Sequence, residues 1–465
     1  MRLLILLNLI FPIALAAQEG RELLTPEAFL HRVREQHPEA KQAGILNDQA
    51  SAALLAARGG FDPKLYGDWE RKSFGGQTYF NIGEGGVKIP TWYGVEGKLA
   101  YNWASGVFVN PEKKLPANGQ AIAGITLPLG QGLMIDQRRA DLFQAKILRE
   151  ANEAEQRLIR NDLFFDALKA YWDWALANAW LLTYEQAVQV AQIRFEGIRE
   201  SYLAGDKPAI DTLESLILVQ DRTLQRNEAQ LSLQNVLLDL RNYLWENDRP
   251  VVPDTMLRPV PPAMPSAMPA LLGAQPDDLA AQHPAVQWYD FKLRQLDVER
   301  RLKTEQLKPR LDFSYNLLGN GLDLQPGSDG NFTDLFRENY KWGIYAGFPI
   351  LLRKERGNLQ LTDLKILDTS YELLLKRQDI RNKIAAYQND LRTLQQQIAI
   401  AADMRDNYAR LLAAENEKFA IGESSVFLIN AREVKLIEAD LKLAKLQADW
   451  MKTEAGLRWS AGVLE

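Results

Sequence analysis

Histidines, cysteines and closely spaced carboxylates are where metal or acid–base chemistry would begin, and this sequence offers little of it. None of the 465 residues is a cysteine, which removes thiolate metal sites, iron–sulfur clusters, disulfides and thiol nucleophiles. The three histidines, His31, His37 and His283, lie too far apart for a local metal motif. No phosphate-binding loop, nucleophile elbow or zinc helix motif occurs. Carboxylates are plentiful, 60 Asp and Glu against 55 Lys and Arg, but they are spread as on any solvated helical surface. Neither catalysis nor a cofactor or metal is expected. A formal charge of −5 leaves no basic footprint for nucleic acid.

What remains is a pair of matching turns. Gly205 and Asp206 open a run through Asp211, Leu213 and Glu214. Gly422 opens a second, through Ser424, Ser425, Phe427, Asn430 and Arg432. Each glycine suits the positive φ of a sharp helix reversal. Asp206, and Ser424 or Ser425, are expected to cap the helix that follows. Asp211 and Glu214 would sit in a first helical turn, where the helix dipole favours acids.

Several further landmarks show that the turns belong to a duplicated chain. Gln36-His37-Pro38 recurs as Gln282-His283-Pro284, and Pro63-Lys64-Leu65 as Pro309-Arg310-Leu311, both at an offset of 246. Pro128 and Pro349 each close a β-like run; Gly205 follows the first by 77 residues and Gly422 the second by 73. A shared order and near-equal spacings point to two repeats, 18–247 and 278–465. A proline-rich connector over 248–277 separates them, where prolines forbid a helix.

Each repeat reads helix, strands, long helix, turn, helix. Ile380, Ile384, Tyr387, Leu391, Leu394 and Ile398 alternate spacings of four and three, the stripe of a coiled coil. Seven-residue periods run through Leu158, Phe165 and Trp172, through Ile217, Leu224, Leu231 and Leu238, and through Ile429, Leu436, Leu443 and Trp450. A helix over 131–204 would be about 110 Å long. Shorter helices are expected over 26–58 and 210–245. The strand regions, about 63–128 and 309–349, alternate apolar and polar residues, as in Leu311, Phe313, Tyr315 and Leu317 against Asp312, Ser314 and Asn316. About ten alternating residues with aromatics near the ends fit a transmembrane β-barrel strand. Two or so strands per repeat cannot close a barrel in one chain, so closure would require further copies. The first strand region is the longer, and its excess around 83–119 is expected to form an extended external hairpin.

Arg2, the apolar run 3–13 and Ala14-Leu15-Ala16-Ala17 read as a signal peptide over 1–17. In a bacterial chain this predicts export. No cysteine follows the cleavage site, so no lipid anchor is expected, and only a β-barrel would place the chain in a membrane.

With this plan the chain resembles the TolC-type outer membrane efflux protein family over nearly all of its mature length. The resemblance rests on the duplicated plan, the Pro-x-Leu entries, the Leu127-Pro128 and Phe348-Pro349 exits, and the glycine turns. It implies a mainly α fold with a transmembrane β-barrel contribution: a homotrimer whose copies close one twelve-stranded barrel in outer membrane lipid, continued by an α-barrel tunnel across the periplasm. It implies that the turns about 204–214 and 421–432 form the periplasmic tip. There they would close the pore and dock a periplasmic adaptor, and through it an inner-membrane pump of the RND, ABC or MFS type. Family members often place carboxylates six and nine residues after the second glycine, where this chain has Leu428 and Ala431. Either the acidic gate has moved to Asp211 and Glu214, or the tip closes through Phe427 and Asn430. The alternatives to an export duct are a periplasmic coiled-coil scaffold or an adaptor without a pore.

Overall fold

The computed structural model describes residues 22–251, 257–264, 268–321 and 338–464. The expected signal peptide over 1–17 lies outside these residues, as do Pro253 and Pro265 of the connector.

The first repeat contains β1 (Glu22–Leu24), α1 (Pro26–Gln36), α2 (Pro38–Gly59), β2 (Lys64–Phe74), β3 (Gln77–Pro90), β4 (Glu96–Ser105), β5 (Gln120–Pro128), α3 (Gln137–Leu203) and α4 (Ala209–Leu240). Short strands β6 (Trp245–Glu246), β7 (Arg249–Pro250) and β8 (Leu257–Pro259) follow, then α5 (Pro276–Gln282). The second repeat contains α6 (Pro284–Glu305), β9 (Arg310–Asn320), β10 (Tyr340–Gly347), α7 (Arg353–Ala420) and α8 (Val426–Ser460).

The single helix expected over 26–58 is two. Proline disfavours helical backbone at the residue before it, and His37 is extended at φ −68°, ψ 133°. The duplicated histidines then do the same job in each repeat. His37 Nδ1 accepts the Glu39 N–H at 3.2 Å and His283 Nδ1 accepts the Ala285 N–H at 3.1 Å, so each caps the helix that its proline opens. As an Nδ1 acceptor, His37 keeps its proton on Nε2, which lies 3.1 Å from the Asn242 carbonyl. Burial lowers its pKa, which agrees with a neutral ring.

The long helix starts at Gln137 rather than 131, because the preceding loop is clasped. Gly132 has φ +92°. The Arg139 guanidinium donates to the carbonyls of Gly132, Leu133 and Met134, and Asp136 caps the Arg139 N–H at 2.8 Å. With 67 residues in α3 and 68 in α7, each helix is about 100 Å long.

The excess in the first strand region is not an external hairpin. Its residues 83–90 and 96–105 belong, within β3 and β4, to one antiparallel sheet of six strands among the described residues, in the order β10-β9-β5-β4-β3-β2, and 106–119 connect β4 to β5. The first repeat supplies four strands and the second two. Alternation within each strand lets the added pair take the same register as the rest.

The described residues form two compact units, each drawing on both repeats. One comprises 43–158 and 281–379 and holds the sheet, with an apolar core that includes Ile135, Ile147, Val298 and Leu302. The other comprises residues up to 42, 159–280 and those from 380 onward, and holds both glycine turns. Phe29, Val33, Phe164, Tyr171 and Leu240 fill its core. There the buried Tyr171 hydroxyl donates to the Leu24 carbonyl at 2.6 Å and accepts the Val260 N–H at 3.0 Å, which ties the parallel pair β1–β8 to α3.

Most of the heptad stripes are buried as the periodicity requires. Ile380, Ile384, Leu391 and Ile398 of α7 and Ile429, Trp450 and Leu457 of α8 are under 9% exposed. In α3 the core phase sits one residue earlier than the expected stripe, on Phe164 and Tyr171, although Trp172 is also buried. In α4 the expectation fails outright. Ile217, Leu224, Leu231 and Leu238 are 55–62% exposed, while Ser215, Arg222 and Ala229 are buried. This helix packs its polar and small face against its own chain and leaves its apolar stripe outward.

Candidate functional site at the paired glycine turns

Both turns are built the same way. Gly205 and Gly422 have φ +80° and +82°. In the first turn the N–H of Gly205 bonds the Tyr202 carbonyl and that of Asp206 bonds Ser201. In the second, Gly422 bonds Phe419 and Glu423 bonds Lys418. These are two Schellman closures, each terminating a helix of nearly seventy residues. No atom stands within 4 Å of where a Cβ would be placed on either glycine, so φ alone demands glycine there.

The turns part company at the next helix. Ser425 caps α8 through its hydroxyl, 3.4 Å from the Leu428 N–H. The cap position of α4 is Pro208, which has no side-chain acceptor, so the capping role expected of Asp206 is not filled. Asp206 stays at the exposed reversal and Asp211 takes the first helical turn. Ser424 is not a cap either. Its hydroxyl donates to Glu415 on α7 at 2.6 Å, and the Arg432 guanidinium reaches the other oxygen of the same carboxylate at 3.5 Å. These bonds, the serine's the stronger, hold the Glu415 carboxyl below its usual range against the opposing pull of burial.

A second polar link crosses from α3 to α8. Arg194 donates to Asn430 Oδ1 at 3.0 Å and also pairs with Glu433. Asn430 and Glu433 are both buried. Lys207, in the first turn, lies over the Phe419 ring at 4.6 Å. Thus four polar contacts and one cation–ring contact bind the ends of α3, α7 and α8 around the two reversals.

The structure therefore brings Ser424 and Arg432 together on Glu415, and Asn430 onto Arg194. Asp211 and Glu214 are half-buried on α4, and among the described residues neither forms an ion pair. Leu213 and Phe427 are 58% and 64% exposed, alongside Ile210 and Ile421. Sequence reasoning missed Arg194, Glu415, Glu433 and the Lys207–Phe419 contact. Arg194 and Glu433 are 239 residues apart, and only the register between helices α3 and α8 reveals the pair.

The sheet is the second feature with a face to offer. Register places Leu65, Val87, Leu99, Ala123, Leu317 and Tyr340 in one cross-strand row. On the opposite face the adjacent row reads Lys64, Lys88, Lys98, Gly124, Asn316 and Lys341. Glu84 pairs with Lys98 at 2.6 Å on that polar face.

Long helices ending in glycine reversals, together with a two-faced antiparallel sheet, define a class of fold: that of TolC-type outer membrane channels. The Campylobacter jejuni CmeC outer membrane channel is similar over 94% of this chain and 85% of its own, with 13% identity and a TM-score of 0.63. A membrane protein from Pseudomonas aeruginosa matches over 94% and 90%, with 14% identity and a TM-score of 0.65. The outer membrane protein VceC from Vibrio cholerae matches over 94% and 96%, with 13% identity and a TM-score of 0.63. No protein-family model and no curated protein sequence matches the chain. What is shared with these structures is the fold.

Proposed function

We propose that this protein is an outer membrane channel-tunnel. Three copies close one barrel through their sheets, and their helices carry the conduit into the periplasm. The observation that carries this reading is the sheet with one apolar and one polar face. Its apolar face exposes Leu65, Trp69, Trp342 and Ile344 at 58–85%. A soluble sheet buries such a face, whereas a barrel strand of 9–11 residues turns it to lipid. No described helix is long and apolar enough to cross a membrane.

The exposed α4 stripe supports the trimer, since a second copy of the chain would cover it in a helical wall. The glycine turns, rimmed by Leu213, Ile421 and Phe427, would dock a periplasmic adaptor and through it an inner-membrane pump. The Arg194–Glu433 and Glu415–Ser424–Arg432 links would hold that tip shut. Export of the pump's cargo follows, with no catalytic step and no cofactor.

The test is imaging of protein extracted from outer membranes in detergent. A threefold particle with a tunnel on the order of 100 Å below a detergent belt is expected. Recovery of unattached rods in the soluble fraction would reject the channel in favour of a scaffold.

A further inference from the structure

The sheet contributes more strands per copy than the resemblance implies. A twelve-stranded trimeric barrel takes four from each copy, and here each copy has six among the described residues. The question is whether all six line the wall or two lie outside it.

The register answers through side-chain chemistry. A strand lying outside the wall would break the row of lipid-facing residues, but the row from Leu65 to Tyr340 is apolar on every strand. The outermost pair, β2 and β3, obeys the same partition as the rest. Trp69 and Val87 share the apolar face, while Asp68 lies directly across from Glu84 on the polar one. That polar face is also tied across three strands. The Tyr66 hydroxyl on β2 donates to Glu84 on β3 at 2.5 Å, and Lys98 on β4 pairs with the same carboxylate. The connection between β4 and β5 folds back over this face, where Glu112 and Lys114 line one cavity with Glu84 and Lys98. Charged residues gathered there require water on that side, and the apolar row leaves the other side to lipid.

The edges agree. With an even number of antiparallel strands, β2 and β10 run in opposite directions and turn their apolar residues the same way. Neither strand contains a proline, so both edges keep a full row of N–H and C=O groups. An open edge is not tolerated in lipid. On the polar face β10 offers Lys341, and β2 offers Lys64 followed by Asp68 and Glu70, so a junction staggered by four to six residues along β2 sets opposite charges side by side.

We propose that three copies close a barrel of eighteen strands, with β10 of each hydrogen-bonded to β2 of the next. This rests on the channel reading above and adds the strand count and the joining edges. Strands about 4.8 Å apart and tilted about 40° give a backbone diameter of about 36 Å, against about 24 Å for twelve. Barrels of this size enclose a water-filled lumen, so the outlet suits bulky cargo.

The chain lacks cysteine, so introduced pairs report cleanly. In full-length protein in outer membranes, Gly343→Cys on β10 is combined with Tyr66→Cys, Asp68→Cys or Glu70→Cys on β2, then oxidised. Within one chain these strands are separated by four others, beyond disulfide reach. The expected result is that at least one combination converts most of the monomer band to covalent oligomers. A control set combines Gly343→Cys with Lys98→Cys, Ala100→Cys or Asn102→Cys on β4, the edge a four-strand contribution would present. Cross-links to β4, or to neither strand in an intact trimer, overturn the eighteen-strand closure and leave the channel standing. Failure of the wild-type protein to form a trimer overturns the channel reading itself. Should the variants not assemble, counting strands in a cryo-electron microscopy map of the wild-type trimer decides between eighteen and twelve.

Discussion

The exposed stripe of α4 permits a quantitative test of the assembly. Leu224 and Leu231 are 62% and 59% exposed in the single chain. Burying a leucine side chain completely is worth about 2 kcal/mol, so covering the exposed part of each by a neighbouring copy contributes about 1.2 kcal/mol. Leu224→Gln with Leu231→Gln therefore removes about 2.4 kcal/mol from each interface. A cyclic trimer has three such interfaces, giving a loss of about 7 kcal/mol, or roughly 100,000-fold in the association constant. The concentration at which half the chains are trimeric varies as the square root of that constant, so it should rise about 300-fold. Within one chain the same positions are solvent-facing, where substitution changes stability by about 0.5 kcal/mol or less. The assay is mass photometry of the detergent-solubilised protein over a dilution series, with thermal melting of the dissociated chain as control. A double variant that dissociates at the wild-type concentration would refute the assignment of this stripe to a second copy. A variant whose isolated chain melts much lower would show that the stripe serves the chain's own core.

Three further outcomes concern the paired glycine turns. Arg194→Ala leaves Glu433 and Asn430 buried without their donor, which should cost about 1–3 kcal/mol; hydrogen exchange should quicken over 426–437, and unchanged protection there would count against the link. Because its folded-state pKa is depressed, the Glu415 carboxylate steadies the second glycine turn above the ordinary glutamate value of about 4.3, and this support is lost as pH falls through the depressed value. Glu415→Gln should therefore raise protease cleavage near residue 422 at neutral pH and abolish the acid-induced rise seen in the wild type; an equal acid response in both proteins would contradict it. Asp211→Ala with Glu214→Ala tests the acidic gate in planar bilayers, where altered conductance or cation block is expected and unchanged currents would remove these residues from the pore.

Local chemistry along the chain is enough to fix several features. Gly205 and Gly422 announce helix reversals because only glycine takes φ near +80° without strain, and the structure places both there. His37-Pro38 and His283-Pro284 marked equivalent repeat positions by their spacing, although the helix start at Pro38 appeared only in the structure. The resemblance to TolC-type channels drew on such landmarks, and it holds at the level of the fold. Alternation in Leu311 to Leu317 made those residues a strand before any partner was known.

Three other matters depended on contacts between distant segments. Periodicity identified the stripe Ile217, Leu224, Leu231 and Leu238 but not the side it faces, since a heptad is equally well satisfied by its own chain or by another. Alternation was legible from Tyr93 to Trp103, but Gly83 and Gly85 leave the apolar face before it without side chains, so the strands there could not be divided; the hydrogen-bonded register resolves 77–90 and 96–105 as neighbours in a six-stranded sheet. Arg194 and Glu415 look like ordinary surface charges in the sequence. They become links around the glycine turns only when α3 and α7 pack beside α8, because ion pairs depend on separation in space and sequence distance carries no trace of it.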